Sequence, residues 1–142
     1  MKTLLIAVIS ALLVACANAT KTTQDDSLYR ALGELEGIES ITHRFINEIG
    51  FNREIITHFS DTDLGRFKEK FIEQICFESG GPCEYTGDSM QQVHRGMDIT
   101  EGEFNATVNA LTAAMDTEGV DKRTQNRLLK KLAPMRGDII YQ

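Results

Sequence analysis

From Ser27 to the end of the chain, apolar residues return every three or four positions, and no useful stretch alternates at every second one. That period lines up side chains on one stripe of a helix, whereas strands need a period of two. The chain is thereby confined to all-α architectures. A short helix over 27–32 can be capped by Ser27 and stopped at Gly33. Ile38, Ile41, Phe45 and Ile49 mark the buried face of a second helix ending near Gly50, and residues 51–59 form a connection. Asp61 or Thr62 can cap a third helix carrying Leu64, Phe67, Phe71 and Ile75, which Gly80-Gly81-Pro82 stops. After a loop over 83–87, a short helix is expected over 89–96. Thr100 opens another, with Phe104, Val108, Leu111, Ala114 and Met115 on its apolar face. Asp121 or Thr124 starts the last, with Leu128, Leu129, Leu132, Met135 and Ile139, and Pro134 is expected to kink it. The result is an all-α domain of about six helices with no internal repeat.

The segment before Ser27 does not share this pattern. Lys2 is followed by an apolar run over 3–15, which reads as the core of a secretory leader and is short for a permanent membrane span. Leu13-Val14-Ala15-Cys16 resembles a bacterial lipobox, in which Cys16 would be lipidated. Ala17-Asn18-Ala19 offers an ordinary cleavage site and a soluble secreted product as the alternative. The lipoprotein reading is favoured, because a cysteine stands directly after Leu-Val-Ala. Residues 17–26 are small and polar, a tether without a core. The expected organisation is a leader over 1–16, a tether over 17–26 and one domain over 27–142. The protein is expected to be exported, either periplasmic or membrane-anchored.

The chain carries a net charge of −6, and more once Lys2 leaves with the leader. There is no basic run and no interleaving of aromatic with basic residues, which excludes a typical nucleic-acid surface. Besides Cys16 the chain has Cys76 and Cys83. Export to an oxidising compartment favours a disulfide between them over two free thiols. Two cysteines with no nearby histidine do not complete a zinc site.

One ordered set of motifs goes further. Ser27-Leu28-Tyr29 with Leu32-Gly33 opens the domain. Phe59 precedes Asp61-Thr62-Asp63-Leu64. Gly80-Gly81-Pro82 is followed by Tyr85-Thr86-Gly87. Met90 stands four residues before His94, which is followed by Gly96, Ile99-Thr100 and Phe104. Leu132-Ala133-Pro134-Met135 comes near the end. Each piece is common, but the set in this order resembles group I truncated haemoglobins, the two-over-two globins. The resemblance covers nearly all of residues 27–140.

The resemblance implies haem b held in a helical sandwich, with His94 as the proximal iron ligand. A neutral imidazole suits iron, and one such ligand leaves the opposite face open to a gas. Taken alone, His94 would be an ordinary histidine. His43 and His58 match no ligand position and read as surface residues. By the same resemblance Phe59 packs on the porphyrin, Thr62 and Lys70 meet a propionate, and Tyr85 and Met90 touch the haem. Phe67 and Phe71 face the iron from the distal helix, and Ile75 lies one turn further. Ile46 falls where many members place a tyrosine that hydrogen-bonds oxygen. The phenylalanines and isoleucines are equally suited to plain core packing.

Ile46 and Phe71 replace the tyrosine and glutamine of many members, so strong retention of oxygen is not expected. Lys70 is the one polar group of the distal helix placed to reach the iron, as a possible distal ligand if burial strips its proton, or as a propionate partner. The expected function is reversible binding of oxygen, nitric oxide or carbon monoxide, with an external reductase as a possible partner. The alternative is a haem redox enzyme or electron-transfer protein acting on reactive nitrogen or oxygen species, and a haem-free helical module is the third reading. An apolar distal pocket without an acid–base residue weighs against a dedicated peroxidase, so no catalytic residue is assigned.

Overall fold

The computed structural model describes residues 25–142. The leader, Cys16 and residues 17–24 of the tether lie outside the described residues. Among the described residues there are six α-helices and two 3₁₀ turns, and no strand. The helices are α1 (Ser27–Ala31), α2 (Glu34–Phe51), α3 (Leu64–Glu78), α4 (Met90–His94), α5 (Glu101–Thr117) and α6 (Lys122–Leu132). The 3₁₀ turns span Ile56–Phe59 and Ala133–Asp138.

Helix α2 is the centre of the packing. It lies most extensively on α5 and then on α3, with α6 also against α3. Its stripe of Ile38, Ile41, Phe45 and Ile49 is 0–3% exposed, and each such side chain contributes about 1.5–3 kcal/mol through burial. On α5 the facing residues at four-residue intervals are Ala106, Ala110 and Ala114, all buried. Small side chains in that row let the two helices approach closely. Gly37 serves the same end at the α1–α2 corner, because a Cβ there would overlap the carbonyl oxygen of Leu32.

The helix starts follow local chemistry. Asp63 caps α3, its carboxylate accepting from the backbone N–H groups of Gly65 and Arg66 at 3.0 Å each. Asp61 and Thr62, the expected caps, sit two residues and one residue earlier, where the Thr62 N–H bonds back to Phe59 O. Ser27 likewise lies inside α1, after the N-cap Asp26. Ser89 with Gln92, and Thr100 with Glu103, form reciprocal capping boxes at α4 and α5. Asp121, not Thr124, caps α6. Pro134 has no N–H to offer the α-helical ladder, and the chain passes there into the 3₁₀ turn Ala133–Asp138 rather than continuing as a kinked α-helix.

The loop after α3 runs back along that helix. Cys83 is disulfide-bonded to Cys76. Thr86 gives its backbone N–H and its hydroxyl to Glu73 at 3.0 and 2.9 Å. Asp88 pairs with Arg66 at 3.2 Å. Successive loop residues thus meet α3 in reverse order. Gly81 makes the reversal possible, since a Cβ there would fall 2.6 Å from both Cys76 Sγ and the Tyr29 ring. The loop delivers the chain to Ser89 and α4.

Candidate functional site

A cavity of about 650 Å³ lies between α3, α4, α5 and α6, within the range of about 300–1,000 Å³ typical of cofactor pockets. One wall is aromatic. Phe45 of α2 and Phe71 of α3 have ring centroids 4.9 Å apart, and Phe67 stands 5.8 Å from Phe71 and 5.3 Å from Phe59. Such pairs hold one another in place beyond their area burial. None of these four rings offers a hydrogen-bond donor.

His94, at the end of α4, also lines the cavity. Its Nδ1 lies 2.7 Å from the carbonyl oxygen of Met90. A carbonyl only accepts, so Nδ1 carries the proton and the neutral ring leaves Nε2 with a free lone pair. Burial pushes the His94 pKa below its ordinary 6.5 and holds the ring neutral, assisted by the nearby charge of His58 and opposed by the Met90 hydrogen bond. The turn after His94 is tied down by the end of the chain. Gly96 N–H donates to Gln142 O at 2.9 Å, and Tyr141 N–H donates to Ile99 O at 3.0 Å. The short helix carrying His94 is therefore fixed at both ends, by the Ser89 capping box and by the C-terminus.

Of the residues singled out in the sequence, Phe59, Thr62, Phe67, Lys70, Phe71, Tyr85, Met90 and His94 line this one cavity. Ile46 does not. It borders a separate cavity of about 90 Å³ with Ile49, Ile56 and Leu64, and the residue of α2 that reaches the main cavity is its neighbour Phe45. One position along a helix turns a side chain by about 100°, which is enough to exchange them. Ile75 is 1% exposed and belongs to the core, not to the cavity lining.

Lys70 lines the cavity but is engaged by neighbouring side chains. Its ammonium group donates to Glu69, Glu73 and Thr86, each at 2.8 Å. These bonds use all three of its protons. The hydrogen bonds to the two carboxylates raise its pKa, opposite to the shift that iron ligation requires. In this arrangement Lys70 offers neither a lone pair to a metal nor a spare donor to a propionate. His58, expected at the surface, is half-buried, with Nε2 2.9 Å from Glu103 Oε1. His43 is exposed, as expected.

Several further residues line the cavity without a distinguishing mark in the sequence. Phe104, Val108, Leu111, Leu129, Leu132 and Met135 carry only a helical-period signal, which a core and a cavity wall share. Gln74 adds a polar bridge, its amide donating to the sulphurs of Met90 and Met135 at 3.5 and 3.3 Å. Arg66 and Arg136 bring positive charge to the lining, each paired once, with Asp88 and Glu101.

Residues 27–141 match the family described as bacterial-like globin. The chain belongs to the bacterial-like globins. It is 31% identical to the group 1 truncated hemoglobin GlbN of Mycolicibacterium paratuberculosis (strain ATCC BAA-968 / K-10), over 80% of this chain and 83% of that one. It is 23% identical to the group 1 truncated hemoglobin of Tetrahymena pyriformis, over 80% and 94% of the two chains. Among solved structures, the Fe(III) form of the Tetrahymena pyriformis truncated hemoglobin superposes with a TM-score of 0.78 over 81% of this chain and 98% of that one, at 23% identity. The 2/2 hemoglobin of Synechococcus sp. PCC 7002 superposes with a TM-score of 0.74 at 18% identity, covering 80% and 97%. The globin is a haem-binding, gas-binding protein of group I with the two-over-two fold.

The cavity fits that cofactor. It is of cofactor size, with a wall of phenylalanine rings from α2, α3 and the turn before α3. It holds one half-buried neutral imidazole with a free Nε2 and two arginines with unused donors for carboxylates.

Proposed function

We propose that this globin binds haem b through Nε2 of His94 and reversibly takes up oxygen or another diatomic gas on the opposite side. The observation that carries the reading is the 2.7 Å contact between His94 Nδ1 and Met90 O inside the cavity. It orients the ring and fixes its tautomer, as second-sphere partners of metal-bound histidines do. When bound, haem supplies an iron with one ligand position left for the gas. Arg66 and Arg136 are the residues suited to its carboxylates, because a guanidinium has five donors and each is engaged by a single carboxylate here. The rings of Phe45, Phe67 and Phe71 exclude water from the gas side and offer it no proton. A phenylalanine wall without an acid–base group supports gas binding over dedicated redox catalysis.

Export and attachment through an acylated Cys16 complete the reading, supported by the apolar run over 3–15 and the Leu-Val-Ala-Cys sequence. Return of the iron to the ferrous state falls to an external reductase.

The test is the absorption spectrum of the purified protein in ferric, ferrous and gas-bound forms, with His94→Ala beside it. A Soret band that His94→Ala weakens or loses is expected. A colourless protein that takes up no added haem ends the proposal. Mass measurement of the mature N-terminus tests acylation separately.

A further inference from the structure

We propose that the outer face of α6 docks on anionic lipid headgroups. Helix α6 carries Lys122, Arg123, Arg127, Lys130 and Lys131 and no acidic residue. At about 100° per residue these five fill one half of the helix, with Asn126 among them. The other half is Thr124, Gln125 and Leu128, which are buried, and Leu129 and Leu132, which line the cavity. A chain of net charge −6 with 15 basic residues thus places a third of them on one short helix. Lys122 is paired with Asp116, and Arg127 donates to Ser27 Oγ at 2.7 Å. Among the described residues, no carboxylate lies within ion-pair distance of Arg123, Lys130 or Lys131, and all three are exposed.

The kind of partner follows from where the chain enters the domain. Asp25 and Ser27, at the start of the described residues, lie beside this face. Ser27 accepts from Arg127, and the Asp25 carboxyl, held low by hydrogen bonds with Ser27, is lowered further by the charges of Arg127 and Lys131. Eight residues separate Asp25 from Cys16, a reach of at most about 30 Å. A chain fixed to a bilayer at Cys16 therefore keeps α6 close to that bilayer. An anchor joined to a cluster of basic residues is a combination that binds membranes stably. Each lysine or arginine near an anionic surface adds about 1 kcal/mol, or about fivefold in partitioning. An acidic protein would meet the same charges, but the position of the tether favours lipid. Contact through this face would also set Leu129 and Leu132, the cavity wall, one helix diameter of about 10 Å above the headgroups.

The inference rests on the reading of Cys16 as a membrane attachment, yet the surface can be tested without the anchor. The match covers 94% and 97% of the relatives from Tetrahymena pyriformis and Nostoc sp. (strain MUN 8820), so the globin domain stands alone as a folding unit there. The haem-loaded domain over 25–142 is sedimented with vesicles of phosphatidylglycerol and, separately, of phosphatidylcholine. Binding to phosphatidylglycerol alone is expected, lost at about 0.5 M salt as screening shortens the range of the charges. Lys130→Ser/Lys131→Ser should weaken it about 30-fold with an unchanged absorption spectrum, while Arg53→Ser/Lys68→Ser, at exposed basic positions elsewhere, should retain it. No binding to phosphatidylglycerol, equal binding to both lipids, or equal loss in the two double variants overturns the proposal. In the first of these cases the face is left to solvent or to an acidic protein. Vesicle binding by the domain together with an unacylated mature N-terminus overturns the anchor and leaves the surface standing.

Discussion

Nδ1 of His94 and the carbonyl oxygen of Met90 lie 2.7 Å apart across a single turn of α4. The bond fixes the tautomer and spends the one ring nitrogen that the cavity does not need. Haem retention is accordingly expected to depend on Nε2 alone. His94→Gly should release haem at least about tenfold faster, and added imidazole should restore part of the Soret band by occupying the space of the missing ring. Transfer of haem to an apo-globin acceptor measures the rate. A rate unchanged in His94→Gly would remove the residue from the site.

Lys70 is expected to be spectroscopically silent. With its ammonium bonded to Glu69, Glu73 and Thr86, the ferric spectrum of Lys70→Ala should keep the spin state of the unmodified globin. A low-spin spectrum that turns high-spin on this substitution would show that the lysine leaves its carboxylates to ligate iron.

The distal side should respond to a new donor. Phe45, Phe59, Phe67 and Phe71 form a wall without one, and Phe71 lines the cavity. A hydrogen bond to a charged or strongly polarised acceptor contributes about 1.5–3 kcal/mol. Phe71→Gln is therefore expected to slow oxygen dissociation about ten- to a hundredfold in stopped-flow displacement, with carbon monoxide much less affected. Equal slowing of both gases would point to altered access instead.

The pH dependence of apo-globin stability should show two limbs. The folded-state pKa of His94 is depressed below 6.5, chiefly by burial. The unfolded chain then takes up a proton that the folded chain refuses. Stability falls as the pH drops below about 6.5, and the loss continues down to the lowered folded value. Glu73 is held at about 2 by Lys70 and Thr86, and Glu103 at about 2 by Thr100 and His58, both from 4.5. Their stabilisation is complete above 4.5 and is lost as the pH falls toward 2. Glu73→Gln and Glu103→Gln should flatten the lower limb, and His94→Ala the upper, in urea titrations followed by circular dichroism.

The Cys76–Cys83 disulfide closes a short loop of sequence separation 7. Chain-entropy arguments give about 2–3 kcal/mol for a loop of this size. Cys76→Ala/Cys83→Ala should lose about that much in urea unfolding, plus the packing of the fully buried Cys76. Identical midpoints with and without dithiothreitol in the unmodified globin would contradict this.

Much of the fold could be read from the chain. The three-to-four spacing of Ile38, Ile41, Phe45 and Ile49 and the capping pairs Ser89–Gln92 and Thr100–Glu103 announce helices through local chemistry. The cavity was less legible, because an apolar stripe looks the same whether it meets another helix or a cofactor. Ile75 and Phe71 share one helix and one period, yet only Phe71 lines the cavity. Ile46 and Phe45 differ by a single position, and only tertiary packing decides which turns inward. The state of Lys70 depends on Thr86, sixteen residues away, as well as on its helix neighbours. The basic side of α6 is hidden in the sequence for a related reason: its charges are spread along the chain and converge only when the helix winds them together.

The loop after α3 meets that helix at Cys76, Glu73 and Arg66 before handing the chain to α4. It therefore works as a gauge. The number of residues between Cys83 and Ser89, more than their identity, sets how far the imidazole stands from the phenylalanine wall. An insertion of one residue would shift the fastenings that follow it and change that gap, whereas many single replacements would leave it intact. Natural variation in this segment should accordingly alter letters freely and length hardly at all.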